Sequence, residues 1–247
     1  MKKSLLAVTV LSALSLSGAA NAFTESTDGN FTGSLGFNGT IVDDNPIWSW
    51  EIPDASVTGA VDWDALVLNG NVSGTNTSFS FRKPAMTLIH GFMKTPSVSG
   101  GVGITPVISV GNVGSEVVLS GDTAQDVTVV ATGKNASDAA VADGTMSFKA
   151  KAFLGGALKD GGTVKFFGAE KAQTVLSGNQ PNFDTTYPAP AAGTNNFAET
   201  EALFANQGMS DLSGAYVAEI SDYVLGFPSA TLPATWSAVV PVTVTLK

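Results

Sequence analysis

The sequence predicts an all-β sandwich, and three observations carry that prediction. Short runs rich in Val, Phe and Thr, at 78–82, 107–110, 117–120, 127–131, 145–153 and 163–167, are separated by clusters of Gly, Asn, Asp and Pro, the pattern of half-buried strands joined by frequent turns. Apolar residues make up 44% of the chain and charged residues only 13%, so a core can be built and disorder is excluded for most of the length. Segments near both ends alternate at period two, as strands with one buried face must. Antiparallel strands of this length pack as a sandwich or barrel. A membrane-spanning barrel would need a longer series of amphipathic segments with aromatic girdles, and aromatics are only 9% here.

Residues 1–22 stand apart from that fold. Lys2 and Lys3 make a basic start, Leu5 to Leu16 an apolar run, and Ala20-Asn21-Ala22 a small-x-small site, which together read as a secretory signal peptide cleaved after Ala22. The apolar run is too short to span a bilayer comfortably. Export without a single Cys leaves stability to packing alone.

The next segment alternates cleanly. Phe31, Gly33, Leu35, Phe37, Gly39 and Ile41 fall on one face of an extended strand, and Thr32, Ser34, Gly36, Asn38 and Thr40 on the other. Two of the inward positions are Gly, which weakens an isolated strand and marks close approach of another backbone.

Further along, residues 177–194 hold Gly178, Pro181, Pro188, Pro190 and Gly193 around Phe183 and Tyr187. That is loop composition, and loops of this length in a folded domain tend to carry function. Residues 196–207 break the strand pattern: good helix formers, an apolar stripe through Phe197, Ala198, Leu203 and Phe204, and Gly208 as a stop predict one short helix. At the C-terminus, Trp236–Lys247 reads as a half-buried strand with Ala238, Val240, Val242, Val244 and Leu246 on one face. Pro241 cannot donate to a ladder, so this strand is expected to have an edge without a permanent partner from its own chain.

Charge and composition exclude much chemistry. With 12 basic against 21 acidic residues the net charge is −9, a poor surface for tracking phosphates, so nucleic acid is not an expected partner. The lack of Cys removes thiolate metal sites and thiol catalysis, and a single His, His90, offers no imidazole pair. The Gly-rich stretch 99–103 has no basic residue and reads as a turn before a strand, not a phosphate loop. Asp43 with Asp44, and Asp62 with Asp64, lack the ligand spacing of a calcium loop. No Gly-x-Ser-x-Gly elbow is present, and no local pattern selects two carboxylates for glycoside hydrolysis. Neither an enzyme nor a cofactor is expected.

Several of these segments, taken together and in order, resemble one family. GNFTGSLGFNGTI (29–41), Trp48-Ser49-Trp50-Glu51-Ile52, SGGVGITPVISV (99–110), AETEALF (198–204) and the terminal WSAVVPVTVTLK are similar to the FaeG-type adhesive fimbrial subunits of the chaperone and usher pathway. The resemblance implies an incomplete immunoglobulin-like β-sandwich, completed by donor-strand exchange and carrying an inserted loop and short-helix subdomain. It implies three parts: a leader at 1–22, a donor-strand extension at 23–41, and a pilin domain at 42–247 with the insertion around 165–215. By the same resemblance Phe31, Gly33, Leu35, Phe37, Gly39 and Ile41 form the donor face, Trp48–Ile52 begins the subunit's own first strand, and Ala238, Val240, Val242, Val244 and Leu246 flank the acceptor groove. The implied partners are like or related subunits, a periplasmic chaperone, an outer-membrane usher and a host glycoconjugate. The implied location is a fimbria on the bacterial surface, reached through the periplasm. The family tends to end in a bulky apolar doublet, whereas this chain ends Leu246-Lys247.

A receptor role directs attention to aromatic and amide groups. Sugars are held by aromatic faces together with Asn, Asp and backbone amides in shallow sites, and Phe166, Phe167, Asn182, Phe183, Asp184 and Tyr187 are the candidate glycan-binding residues. The alternative function is a secreted, monomeric, lectin-like β-sandwich that needs no chaperone and does not polymerise.

Overall fold

Strands dominate the computed structural model, which describes residues 46–121, 123–160, 163–179 and 196–247. In chain order they are β1 (Trp48–Glu51), β2 (Asn71–Ser73), β3 (Asn76–Phe81), β4 (Met86–Met93), β5 (Ser97–Ser99), β6 (Pro106–Val110), β7 (Val117–Leu119), β8 (Gln125–Lys134), β9 (Gly144–Asp160), β10 (Thr163–Gly168), β11 (Ser210–Pro228), β12 (Thr235–Ala238) and β13 (Val242–Leu246). Three helices interrupt them: α1 (Asp54–Gly59), α2 (Glu170–Asn179) and α3 (Phe197–Ala205). The leader and the segment Phe31–Ile41 lie outside the described residues.

The strands form two antiparallel sheets. The larger runs β1-β4-β11-β9-β8-β12, with β10 added to β9, and β3 and β5 paired to β11. The smaller runs β13-β6-β7. Their inner faces share one core, in which Ile108, Val110 and Leu119 of the small sheet meet Leu154, Tyr216 and Leu225 of the large one. Each such side chain removed from water contributes about 1.5–3 kcal/mol. The result is the immunoglobulin-like all-β fold that the resemblance implies.

β8 shows the sequence logic most plainly. Val127, Val129 and Ala131 point inward while the residues between them are exposed, and they pair with Phe148, Met146 and Gly144 of β9. β11 behaves differently. Seven consecutive residues, Leu212–Ala218, are buried because the core lies on one face and α2 on the other, where Ala172 and Leu176 pack on Ala157 and Ala215. A strand buried on both faces loses its alternation. Its register shifts between Ser221 and Val224, where Asp222 takes φ 55°, a left-handed conformation that Asp tolerates better than most residues.

The C-terminal segment departs from its expected form. Trp236–Lys247 is not one strand: β12 lies at the edge of the large sheet on β8, and β13 lies at the edge of the small sheet on β6. Pro241, with no N–H to give, marks the crossing, and its carbonyl accepts from Gly111 N–H at 3.0 Å.

Candidate functional site

The five residues expected along an acceptor groove divide between the two sheets. Ala238 closes β12 opposite Ala131, Val240 lies in the crossing, and Val242, Val244 and Leu246 face Val110, Ile108 and Pro106 across the β13–β6 ladder. Alternation nevertheless survives the change of sheet. Trp236, Ala238, Val240, Val242 and Val244 are half-buried against the core, while Ser237, Val239, Thr243 and Thr245 are exposed. Leu246 is exposed. Beyond β6, β13 has no strand partner among the described residues, so one row of its backbone groups remains available for pairing.

The ends of this edge are fixed by specific contacts. Thr105 and Lys247 exchange backbone hydrogen bonds at 3.3 and 2.9 Å, and Lys247 Nζ lies 2.9 Å from Glu201 on α3. The indole N–H of Trp48 donates to the Ile104 carbonyl at 3.0 Å, tying β1 to the chain just ahead of β6. Trp48 stacks on Trp50, ring centroids 5.2 Å apart. Trp50 in turn lies across Gly91, where a Cβ would fall inside the indole.

The chain is helical on both sides of residues 180–195. Asn196 caps α3 by accepting from Glu199 N–H at 2.9 Å, and the Glu199 carboxylate accepts from Asn196 N–H at 3.0 Å, a reciprocal box that satisfies two orphan donors. Phe197, Thr200 and Phe204 are buried beneath α3, and the Phe204 ring meets Phe167 edge-on, centroids 5.7 Å apart. The predicted helix at 196–207 is therefore present as α3. α2 was not read from the sequence, and the predicted loop at 177–194 starts inside it. Glu170, Lys171, Ala172 and Gln173 are fair helix formers with an apolar stripe at Ala172, Val175 and Leu176, a signal too weak in large side chains to stand out.

Of the candidate glycan-binding residues, Phe167 is buried at 3% exposure in the main core, and Phe166 is half-buried on the opposite face against α2. Neighbours on one strand point to opposite faces, so the pair does not form a joint platform. Asn182, Phe183, Asp184 and Tyr187 lie outside the described residues.

Burial, with a smaller push from Glu201, raises the Tyr216 hydroxyl well above the ordinary phenol range, and burial raises Tyr223 to about 12. His90 Nε2 hydrogen-bonds Glu51 Oε1 at 2.6 Å, and Lys149 with Asp126 at 2.9 Å and Lys171 with Glu219 at 2.6 Å form ion pairs open to solvent on at least one side.

Residues 1–201 match a family model described as major and minor fimbrial subunits. A comparison with curated proteins returns no match.

Proposed function

The chain belongs to the family of major and minor fimbrial subunits, and from that premise we propose that it polymerises by donor-strand exchange and attaches the bacterium to host glycoconjugates. A fimbrial subunit works as a structural element of a surface fibre, and the proposal concerns how it joins its neighbours and what it holds. The observation that carries the reading is the edge position of β13, with Val240, Val242 and Val244 only half-buried beside it. An edge strand flanked by apolar side chains takes an added strand: main-chain hydrogen bonds supply affinity, and pockets for alternate side chains supply register. Phe31, Gly33, Leu35, Phe37, Gly39 and Ile41 of a second copy have the matching period. On this reading a periplasmic chaperone holds the edge during transit, after cleavage behind Ala22, and an outer-membrane usher exchanges it for the next subunit. Residues 23–41 are then the extension, and 42–247 the domain bearing the insertion around 165–215.

The test separates donation from acceptance. A chain lacking 23–41 should still accept a donor but not give one, and the same segment joined after Lys247 through a short linker should occupy its own edge and yield a stable monomer. Thermal unfolding and size-exclusion chromatography decide. A deleted chain that is monomeric and as stable as the rearranged one, without any chaperone, overturns the proposal.

A further inference from the structure

Resting on the polymerisation reading, we propose that successive copies of this chain also meet body to body, the apolar turn Leu66–Leu68 of one packing on the Ile47 end of the next. The two surfaces lie at opposite ends of the large sheet. Ile47 precedes β1, whose Ser49 pairs with Phe92 of β4, and Phe92 pairs with Ala215 of β11. The turn precedes β2, which pairs with β3, and β3 begins opposite Pro228 of β11. From Ala215 to Pro228 the strand rises about 40 Å. The turn is fastened to the sheet: Asn69 N–H donates to the Leu66 carbonyl at 2.9 Å and Gly70 N–H to that of Val67 at 3.1 Å. Gly70 lies so close to β3 that a Cβ would meet Thr77 and Phe79. Leu66, Val67 and Leu68 nonetheless face solvent, and Leu68, at 98% exposure, exceeds every other large apolar side chain among the described residues. An apolar knob on a backbone that is already ordered loses little further freedom when it is covered.

Charge and symmetry select the occupant. From 46 to 81 the chain has four acidic residues and no Lys or Arg. Asp62 and Asp64, both exposed, stand just ahead of the turn, and Lys83, 5.5 Å from the centre of the Trp63 ring, leaves this surface net negative. The Ile47 end is apolar with the opposite sign. Ile47 is 66% exposed and Val102 88%, Trp48 joins their segments through the Ile104 carbonyl, and the Ile47 carbonyl accepts from the N–H of exposed Lys94 at 2.9 Å. A turn packed on its own counterpart would set Asp62 and Asp64 against their copies and would close as a dimer. Contact between unlike ends pairs acid with base and continues without closing, which is the geometry of a filament. Left bare at every repeat of a fibre, the turn would be an adhesive apolar patch between fibres.

The absence of Cys makes the contact readable by single thiols in fibres assembled from the full chain. Leu68→Cys and Val130→Cys place a thiol at positions 98% and 48% exposed in the isolated subunit. In fibres the order should invert, with Leu68→Cys reacting with a maleimide at least tenfold more slowly than Val130→Cys. A short bismaleimide should link the double variant Ile47→Cys with Leu68→Cys into a ladder of multimers on a denaturing gel, and neither single variant should be linked. Faster labelling of Leu68→Cys than of Val130→Cys in fibres would overturn the contact while leaving polymerisation standing. Cross-linked dimers from Leu68→Cys alone would show the turn meeting its own counterpart, and protection without a ladder would show another occupant; either overturns the end-to-end arrangement. Protection that appears only with phosphatidylcholine vesicles would overturn it in favour of a membrane. Chains that form no fibres, with or without the substitutions, would overturn the polymerisation reading beneath it.

Discussion

Lys247 holds Glu201 on α3 at 2.9 Å, so the end of the edge strand β13 is fastened to that helix. Glu201 is the better shielded partner, at 27% side-chain exposure against 57% for Lys247. Partly exposed pairs contribute little, so Glu201→Gln should lower stability by at most about 1 kcal/mol in urea unfolding. Hydrogen exchange at Val244–Lys247 should quicken more than elsewhere, and exchanging the charges by Glu201→Lys with Lys247→Glu should restore it.

Gly91→Ala tests the close approach of Trp50 to the sheet. The added methyl falls inside the indole, so the ring must leave its stack on Trp48. A cost of about 1–3 kcal/mol is expected for such overpacking, visible as a lower urea midpoint with an unchanged slope and a loss of near-ultraviolet dichroism from the stacked indoles.

Phe204→Ala tests whether α3 is part of the core. The side chain is fully buried and its removal should cost about 3–5 kcal/mol, a loss that urea unfolding reads directly. Phe166→Ala, on the half-buried outer face, should cost distinctly less. Equal losses would contradict the placement of the two rings.

Alkaline titration should show cooperative loss of structure. Tyr223 is raised to about 12 and Tyr216 is raised further by burial, so from pH 10 upward the unfolded chain releases protons that the folded chain retains. Stability present below pH 10 is then lost as pH rises toward the folded values. Phenolate absorbance from these two residues should appear together with unfolding, and ionisation of both at pH 10 in the folded chain would contradict their burial.

Leu35→Asp tests assembly. If the proposed donor-strand exchange operates, a carboxylate driven into an apolar pocket of the neighbour loses its hydration, so subunits should accumulate unpolymerised, with the domain's own thermal midpoint changed little. Electron microscopy and periplasmic fractionation would show normal fibres if the donor face were idle.

Local signals account for what the sequence revealed. β8 was readable because one face meets water and Val127, Val129 and Ala131 alternate with exposed residues, Thr128 and Thr132 among them; α3 was readable from its stripe and the Gly208 stop. β11, the longest strand, was not, because α2 covers the face that would otherwise be polar and Gly214, Asp222 and Gly226 look like turn residues. The adjacent rings of Phe166 and Phe167 suggested a shared surface, but strand geometry sends one to each side of the sheet. The split between β12 and β13 was hidden because alternation continues unbroken through the crossing, so period alone did not reveal the change of partner.

The indole bond from Trp48 to the Ile104 carbonyl has a mechanical consequence. In a fibre linked through the N-terminal extension and β13, pulling force enters the domain at β1 and leaves at β13. Trp48 connects β1 to the chain entering β6, and β6 carries β13 along five paired residues. On the proposed donor-strand linkage, load can therefore pass from one subunit to the next along a short route close to the fibre joints, without crossing α2. A fibre under tension would strain this route first.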